Sequence, residues 1–230
     1  MRLIAVFVVV VLAACGPKVE PPVGAAQIGV SEMETLGAAV AREINLMRND
    51  PFAYSVRVKA MKSYFKHSPS CEPPADPCRL VLPGEVVIGG FNYPTFEAAI
   101  DEAVEALRAA PALPQFAPSR ALKQAAVSHV ADRGALAGNT PHKGSDGADL
   151  RERMNRHGAG ARGKIAEAIM YGQQTAFGVV SAWLVDRGTP NTLHRNMLLD
   201  PQLGAIGVAC GPSDKHRLAC VANFADSVSQ

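Results

Sequence analysis

Two histidines and two acids are the residues of this chain best suited to chemistry. His142 and His194 bracket Glu167 and Asp186. Neutral imidazole nitrogens and carboxylate oxygens together can hold a divalent metal such as Zn²⁺, or can exchange protons near neutral pH. The gaps between successive members, 25, 19 and 8 residues, match no compact ligand motif, so the fold must bring them together. Other catalytic signatures are missing. There is no His-Glu-x-x-His, no Gly-x-Ser-x-Gly and no phosphate loop. Gly158 to Gly163 matches Gly-x-Gly-x-x-Gly, but it follows a short helix and precedes a strand-like segment. That is the reverse of the dinucleotide-binding context, and the stretch reads as a turn.

The other candidates read as structural. His129 lies beside Val130 in a helix; His67, His157 and His216 lie in polar or Gly/Arg-rich stretches and read as solvated. Trp183 and Phe177 read as core. Asp146 and Asp149 offer oxygens to Ca²⁺, although Asp-Gly more often marks a turn. Arg195, next to His194, suits either orienting an acid or anionic substrate, or a structural ion pair.

The N-terminus reads as an export signal. Arg2 supplies a positive charge, Leu3 to Leu12 are unbroken apolar residues, and Leu12-Ala13-Ala14-Cys15 follows. Ten apolar residues cannot span a bilayer, which needs about 20. The run resembles a bacterial lipoprotein signal over 1–14, with cleavage before Cys15 and lipidation of it. Acyl chains buried at about 0.8 kcal/mol per methylene would then hold the protein to a membrane outside the cytoplasm. Gly16 resembles outer-membrane sorting if the source is Gram-negative. Residues 15–30, rich in Pro and Gly, read as a flexible tether.

Composition narrows the partners. The chain has 230 residues, with 23 Lys+Arg against 21 Asp+Glu. No basic stripe is present, so no nucleic-acid partner is expected. With 48% hydrophobic and 19% charged residues, one filled core is expected. Setting Cys15 aside leaves Cys71, Cys78, Cys210 and Cys220, an even number suited to an oxidising compartment. Three pairings are possible; Cys71–Cys78, closing a short loop, and Cys210–Cys220, bridging adjacent strands, are expected.

The elements that must position the four residues follow from periodicity and caps. Ser31 to Asn49 reads as a helix with Met33, Leu36, Val40, Ile44 and Met47 at helical spacing, stopped by Asn49-Asp50-Pro51. Residues 66–94 read as an irregular, disulfide-pinned excursion around a strand at Glu85–Phe91. Thr95 to Pro111, Ser119 to Gly138, Asp149 to Arg156 and Thr175 to Asp186 read as helices. Ala205–Cys210 and Arg217–Phe224 read as a hairpin. Helices first and strands last, without βαβ repeats, predict an α+β fold.

Three stretches resemble the CAP superfamily of cysteine-rich secretory, antigen 5 and pathogenesis-related proteins, in its bacterial form. The first is Leu122 to Asp132 followed by His142-Lys143-Gly144-Ser145-Asp146-Gly147, with Pro141 in place of a serine. The second is Ile165 to Gly172, with Ala168 where the family carries Asn. The third joins Trp183-Leu184-Val185-Asp186, Leu193-His194-Arg195-Asn196-Met197-Leu198-Leu199 and Gly204-Ala205-Ile206-Gly207-Val208. The resemblance covers 119–226 well and 31–54 weakly, through Glu43, Asn45 and Arg48. It is absent at 55–110, which reads as an atypical insertion in a domain over 31–230.

The resemblance implies a three-layer α-β-α sandwich with a small antiparallel sheet and a groove lined by His142, His194, Glu167 and Asp186. It also implies Zn²⁺ or another divalent cation at the two histidines, and a lipid or cell-envelope ligand. A binding module is the first expectation, with no nucleophile in evidence. The alternatives are a metal-assisted hydrolase with Glu167 as general base, and a structural or adhesive surface protein. Ser145 and Ser181 lack a nucleophile's signature.

Overall fold

The structure, a computed structural model, describes residues 30–66, 78–80, 88–91, 93–132, 141–187, 190–214 and 217–229. The export signal, the lipidation residue Cys15, Cys71, His67 and His216 lie outside the described residues. Helix α1 spans Val30–Asn49 and buries Val40, Ile44 and Met47 completely. Each such side chain contributes about 1.5–3 kcal/mol.

The Asn49-Asp50-Pro51 stop is also a start. The Asp50 carboxylate accepts from Ala53 N at 2.9 Å, Pro51 occupies the first turn, and α2 runs over Pro51–Ala60. The excursion expected from 66 to 94 holds more sheet than its one expected strand: β1 (Phe65–Lys66), β2 (Cys78–Leu80) and β3 (Ile88–Phe91), the last within the expected Glu85–Phe91, pair antiparallel in that order. Helix α3 (Tyr93–Ala109) then returns Phe96, Ile100, Val104 and Leu107 to the main core.

A second sheet organises the remainder. Its order is β4 (Ala117–Pro118), β6 (Ala205–Ser213), β7 (Arg217–Ser227) and β5 (Arg162–Tyr171). The expected hairpin is β6–β7. The sheet is mixed rather than antiparallel throughout, because β4 pairs parallel to β6.

Alternation along β6 divides the layers. Ile206 and Val208 join the core beneath α1 and α6 (Ala176–Val185). Ala205 and Ala209 turn to α4 (Arg120–Ala131) on the other face, where α5 (Leu150–Arg156) also packs. The result is the three-layer α-β-α arrangement. Small residues let the layers close: a Cβ on Gly207 would stand 2.1 Å from Lys123 N, and one on Gly211 would stand 2.3 Å from Val130 Cγ1. Trp183 is fully buried and donates its indole N–H to the Ile169 carbonyl at 3.3 Å.

The Cys210–Cys220 disulfide joins residues directly opposite each other in β6 and β7. Reducing it is expected to lower the unfolding free energy by about 2–3 kcal/mol. Urea unfolding followed with and without reductant checks this. No helix among the described residues is long and apolar enough to cross a membrane.

Candidate functional site

The fold gathers the four chemical residues into two pairs. Glu167 lies on β5 facing α4, while its neighbours Ala166 and Ala168 turn into the main core. Its side chain is only 2% exposed, and Oε1 lies 3.0 Å from His142 Nδ1. The imidazole itself is 56% exposed. A buried carboxylate thus backs a solvent-facing ring.

Sequence reasoning missed the third member, Arg153. It projects from α5, buried, and its Nη2 donates to Glu167 Oε2 at 2.5 Å. Nη1 donates to the carbonyls of His142 at 2.8 Å and Ala148 at 3.1 Å. One guanidinium therefore neutralises the acid and fixes the backbone of the loop that carries the histidine. No periodic signal marks Arg153, since its contacts cross from a short helix to a strand. The capped start of that helix was the available clue.

The loop at 141–148 is held by two carboxylates, one at the end of α4 and one of its own. Asp132 Oδ2 accepts from Ser145 N at 2.7 Å, and Asp146 Oδ1 accepts from Ala148 N at 2.9 Å. The Ala148 hydrogen bond, helped by Arg156, holds the Asp146 carboxyl below its usual range. Asp149 caps α5 in a reciprocal capping box with Glu152. Both aspartates considered for Ca²⁺ thus serve the turn. His129 is structural: its Nε2–H donates to the Pro141 carbonyl at 2.7 Å, and burial pushes its pKa down. His157 is exposed, with Nε2 3.0 Å from Ser128 Oγ.

The second pair closes the end of α6. Asp186, in the left-handed region at φ 48°, places Oδ1 2.7 Å from His194 Nδ1. Its Oδ2 accepts from the backbone N–H of His194 at 2.7 Å and of Arg195 at 3.3 Å, which caps α7 (Leu193–Leu198). His194 thus sits in the first turn of α7. Arg195 is buried and donates to the carbonyls of Leu184 at 2.5 Å and Val185 at 3.2 Å, so it satisfies the C-terminus of α6.

These contacts decide which atoms suit a cation. Both oxygens of Glu167 and both of Asp186 are engaged, so the acids orient imidazoles rather than offer themselves as ligands. Among the described residues no three His, Cys, Asp or Glu side chains group to hold a metal. The fit is through imidazole nitrogen, with Nδ1 tied to a carboxylate in each ring. For proton transfer, too, the solvent-facing acceptor is His142 rather than Glu167.

An α-β-α sandwich with imidazole–carboxylate pairs on separate elements defines the class. The model of the cysteine-rich secretory protein family, CAP, matches residues 102–224, more than half of the chain, and the chain belongs to that family.

Solved structures give more distant likenesses. An extracellular protein containing an SCP domain from Bacillus anthracis is 20% identical with a TM-score of 0.40, over 58% of this chain and 39% of that one. An outer surface protein from Borrelia burgdorferi is 16% identical with a TM-score of 0.41, over 59% of this chain and 91% of that one. A cysteine-rich secretory protein from Staphylococcus aureus is 12% identical with a TM-score of 0.38, over 61% and 41%. The chain therefore spans less than half the length of the Bacillus and Staphylococcus proteins. No curated protein matches it.

Proposed function

We propose that the protein is an extracytoplasmic, lipid-anchored binding module that takes a divalent cation through His142 and His194. One observation carries the cation: each histidine has its Nδ1 held by a buried carboxylate, Glu167 at 3.0 Å and Asp186 at 2.7 Å. Metal-ligating histidines characteristically have this backing, which fixes the tautomer and raises the basicity of Nε2. Location rests on the Leu-Ala-Ala-Cys signal, the disulfide and membership of a family of secretory proteins. Under this reading Cys15 is the anchor, 15–30 the tether and 31–230 the domain. An envelope or lipid ligand would be met at that membrane.

Calorimetric titration of the protein with Zn²⁺ at neutral pH tests the cation site. One-site saturable binding is expected, lost in His142→Ala/His194→Ala. Glu167→Gln, which keeps the shape but loses the charge behind the ring, is expected to weaken binding about 10–100-fold. Wild-type protein that is folded and takes up no Zn²⁺ would leave the two pairs as buttresses of the fold. The anchor is tested separately: Cys15→Ser is expected to move the protein from the membrane to the soluble fraction.

A further inference from the structure

We propose that the outer face of α2 is a docking surface that lays the domain against an anionic bilayer. Large apolar side chains are exposed at five positions among the described residues, and three of these, Leu46, Phe52 and Val56, fall at the corner where α1 gives way to α2. Phe52 is 62% exposed and Val56 59%. They stand one turn apart on one face of α2, where Ala53 and Ala60 are exposed as well. The opposite face already serves the core, through buried Tyr54 and Val58. Helix α2 is thus apolar on both sides, the pattern of a helix that is covered on both.

Charge decides between occupants. Helix α2 carries Arg57 and Lys59 and no acid. The acids beside it are engaged: Asp50 accepts from Ala53 N at the start of the helix, and Glu43 lies 2.7 Å from Arg57 and accepts from the Tyr54 hydroxyl at 2.8 Å. Arg57 remains 44% exposed, and Lys59 is exposed with no acid partner among the described residues. A second copy of this face would set like charges against each other. Anionic headgroups would answer them instead, while a phenylalanine and a valine entered the boundary beneath.

The length of chain before α1 permits the contact. Residues 15–30 reach at most about 50 Å, whereas α1, with 20 residues, is about 30 Å long. Under the reading that Cys15 is the anchor, α2 at the far end of α1 can therefore turn to the same membrane; only this step rests on that reading. A tether also keeps the face at a millimolar effective concentration of surface, so a contact too weak to recruit a free protein still orients a held one. Because the family model matches residues 102–224, α2 lies outside the part of the chain that family membership describes.

The experiment uses the full-length chain carrying Cys15→Ser, so that no acyl anchor takes part, and supplies millimolar lipid in its place. Phe52→Trp puts a fluorescent probe on the face; Trp183, the chain's one tryptophan, is fully buried and gives a constant background. Vesicles of phosphatidylcholine and phosphatidylglycerol with brominated acyl chains quench only an indole that enters the bilayer. Saturable quenching of Phe52→Trp is expected, weaker on phosphatidylcholine alone, and none for Val127→Trp, exposed on α4 in the opposite layer. Adding Val56→Asp, also at an exposed position, is expected to raise the lipid needed by about tenfold or more. No quenching of the folded Phe52→Trp chain, equal quenching of Val127→Trp, equal quenching on neutral vesicles, or indifference to Val56→Asp overturns the proposal. An emission shift that grows with protein concentration in the absence of lipid would assign the face to a second copy and overturn it too. Since Cys15 is absent throughout, failure here leaves the anchor to its own fractionation test.

Discussion

Replacing Arg153 with leucine is expected to cost about 3–5 kcal/mol of stability, the penalty for removing one partner of a buried ion pair. Glu167 would then lose the guanidinium at its Oε2, at a side chain only 2% exposed. The carbonyls of His142 and Ala148 would lose their donor as well. The double variant Arg153→Leu/Glu167→Leu is expected to recover much of the loss, because no buried charge remains to be solvated. Denaturant unfolding of the wild type, the single and the double variant measures both, and a single-variant loss below about 1 kcal/mol would mean that water already screens the pair. The two variants separate folding from function. The double variant is expected to be the more stable of the two, yet it lacks the carboxylate behind His142, so its Zn²⁺ affinity is expected to fall with that of Glu167→Gln.

The second large effect is expected at Arg48. Its side chain is buried beneath the sheet edge, where Nε donates to Pro114 O at 2.9 Å and Nη1 donates to Leu198 O at 2.9 Å and Asp200 O at 3.0 Å. The guanidinium also lies 3.8 Å from the centre of the Phe116 ring. One side chain of α1 thus ties together the segment leading into β4 and the segment leading into β6. Hydrogen bonds from a charged donor contribute about 1.5–3 kcal/mol each, and acceptors left buried without a donor cost more. Arg48→Met, which keeps most of the apolar stem, is expected to lose about 3 kcal/mol or more. Arg48→Lys is expected to recover only part, since an ammonium cannot reach three carbonyls in the fork's geometry. Limited proteolysis would show new cleavage at 113–116 and 198–203 if the tie is what orders them; an unchanged digest alongside a large stability loss would place the effect in packing alone.

Much of this architecture is legible in the chain because its helices announce themselves by cap and stripe. Ser119, Asp149 and Thr175 each precede an apolar period and each caps the helix that follows. Glycine-proline punctuation between valine- and alanine-rich runs located β6 and β7. Helix α2 is hidden in the sequence because Asn49-Asp50-Pro51 reads as a stop, when proline in a first turn with Asp50 before it is equally a beginning. Strand β4 is two residues long and contains Pro118; it exists only because β6 is there to accept Ser119 N at Ile206 O.

The site divides the same way. Imidazoles and acids could be picked out by type, and the fold paired them as His142–Glu167 and His194–Asp186. What holds each pair could not be read. Arg153 acts across 14 residues from a helix to a strand, and the oxygen of Asp186 that caps α7 depends on a left-handed turn at its own position. Such dependence on tertiary placement leaves no periodic trace in the sequence.

The sheet order has a further consequence for how the protein reaches its destination. Helix α1 buries Val40, Ile44 and Met47 in a core completed by β6 and β7, more than 150 residues further along the chain. Local contacts form fast, but these distant ones wait for β6 and β7 to be made. A growing polypeptide would therefore expose that apolar stripe until residues beyond 205 have emerged, and would be aggregation-prone for that interval. Were the chain threaded unfolded through a membrane, the same delay would be an advantage: this core could not close before the β6–β7 hairpin had followed it across.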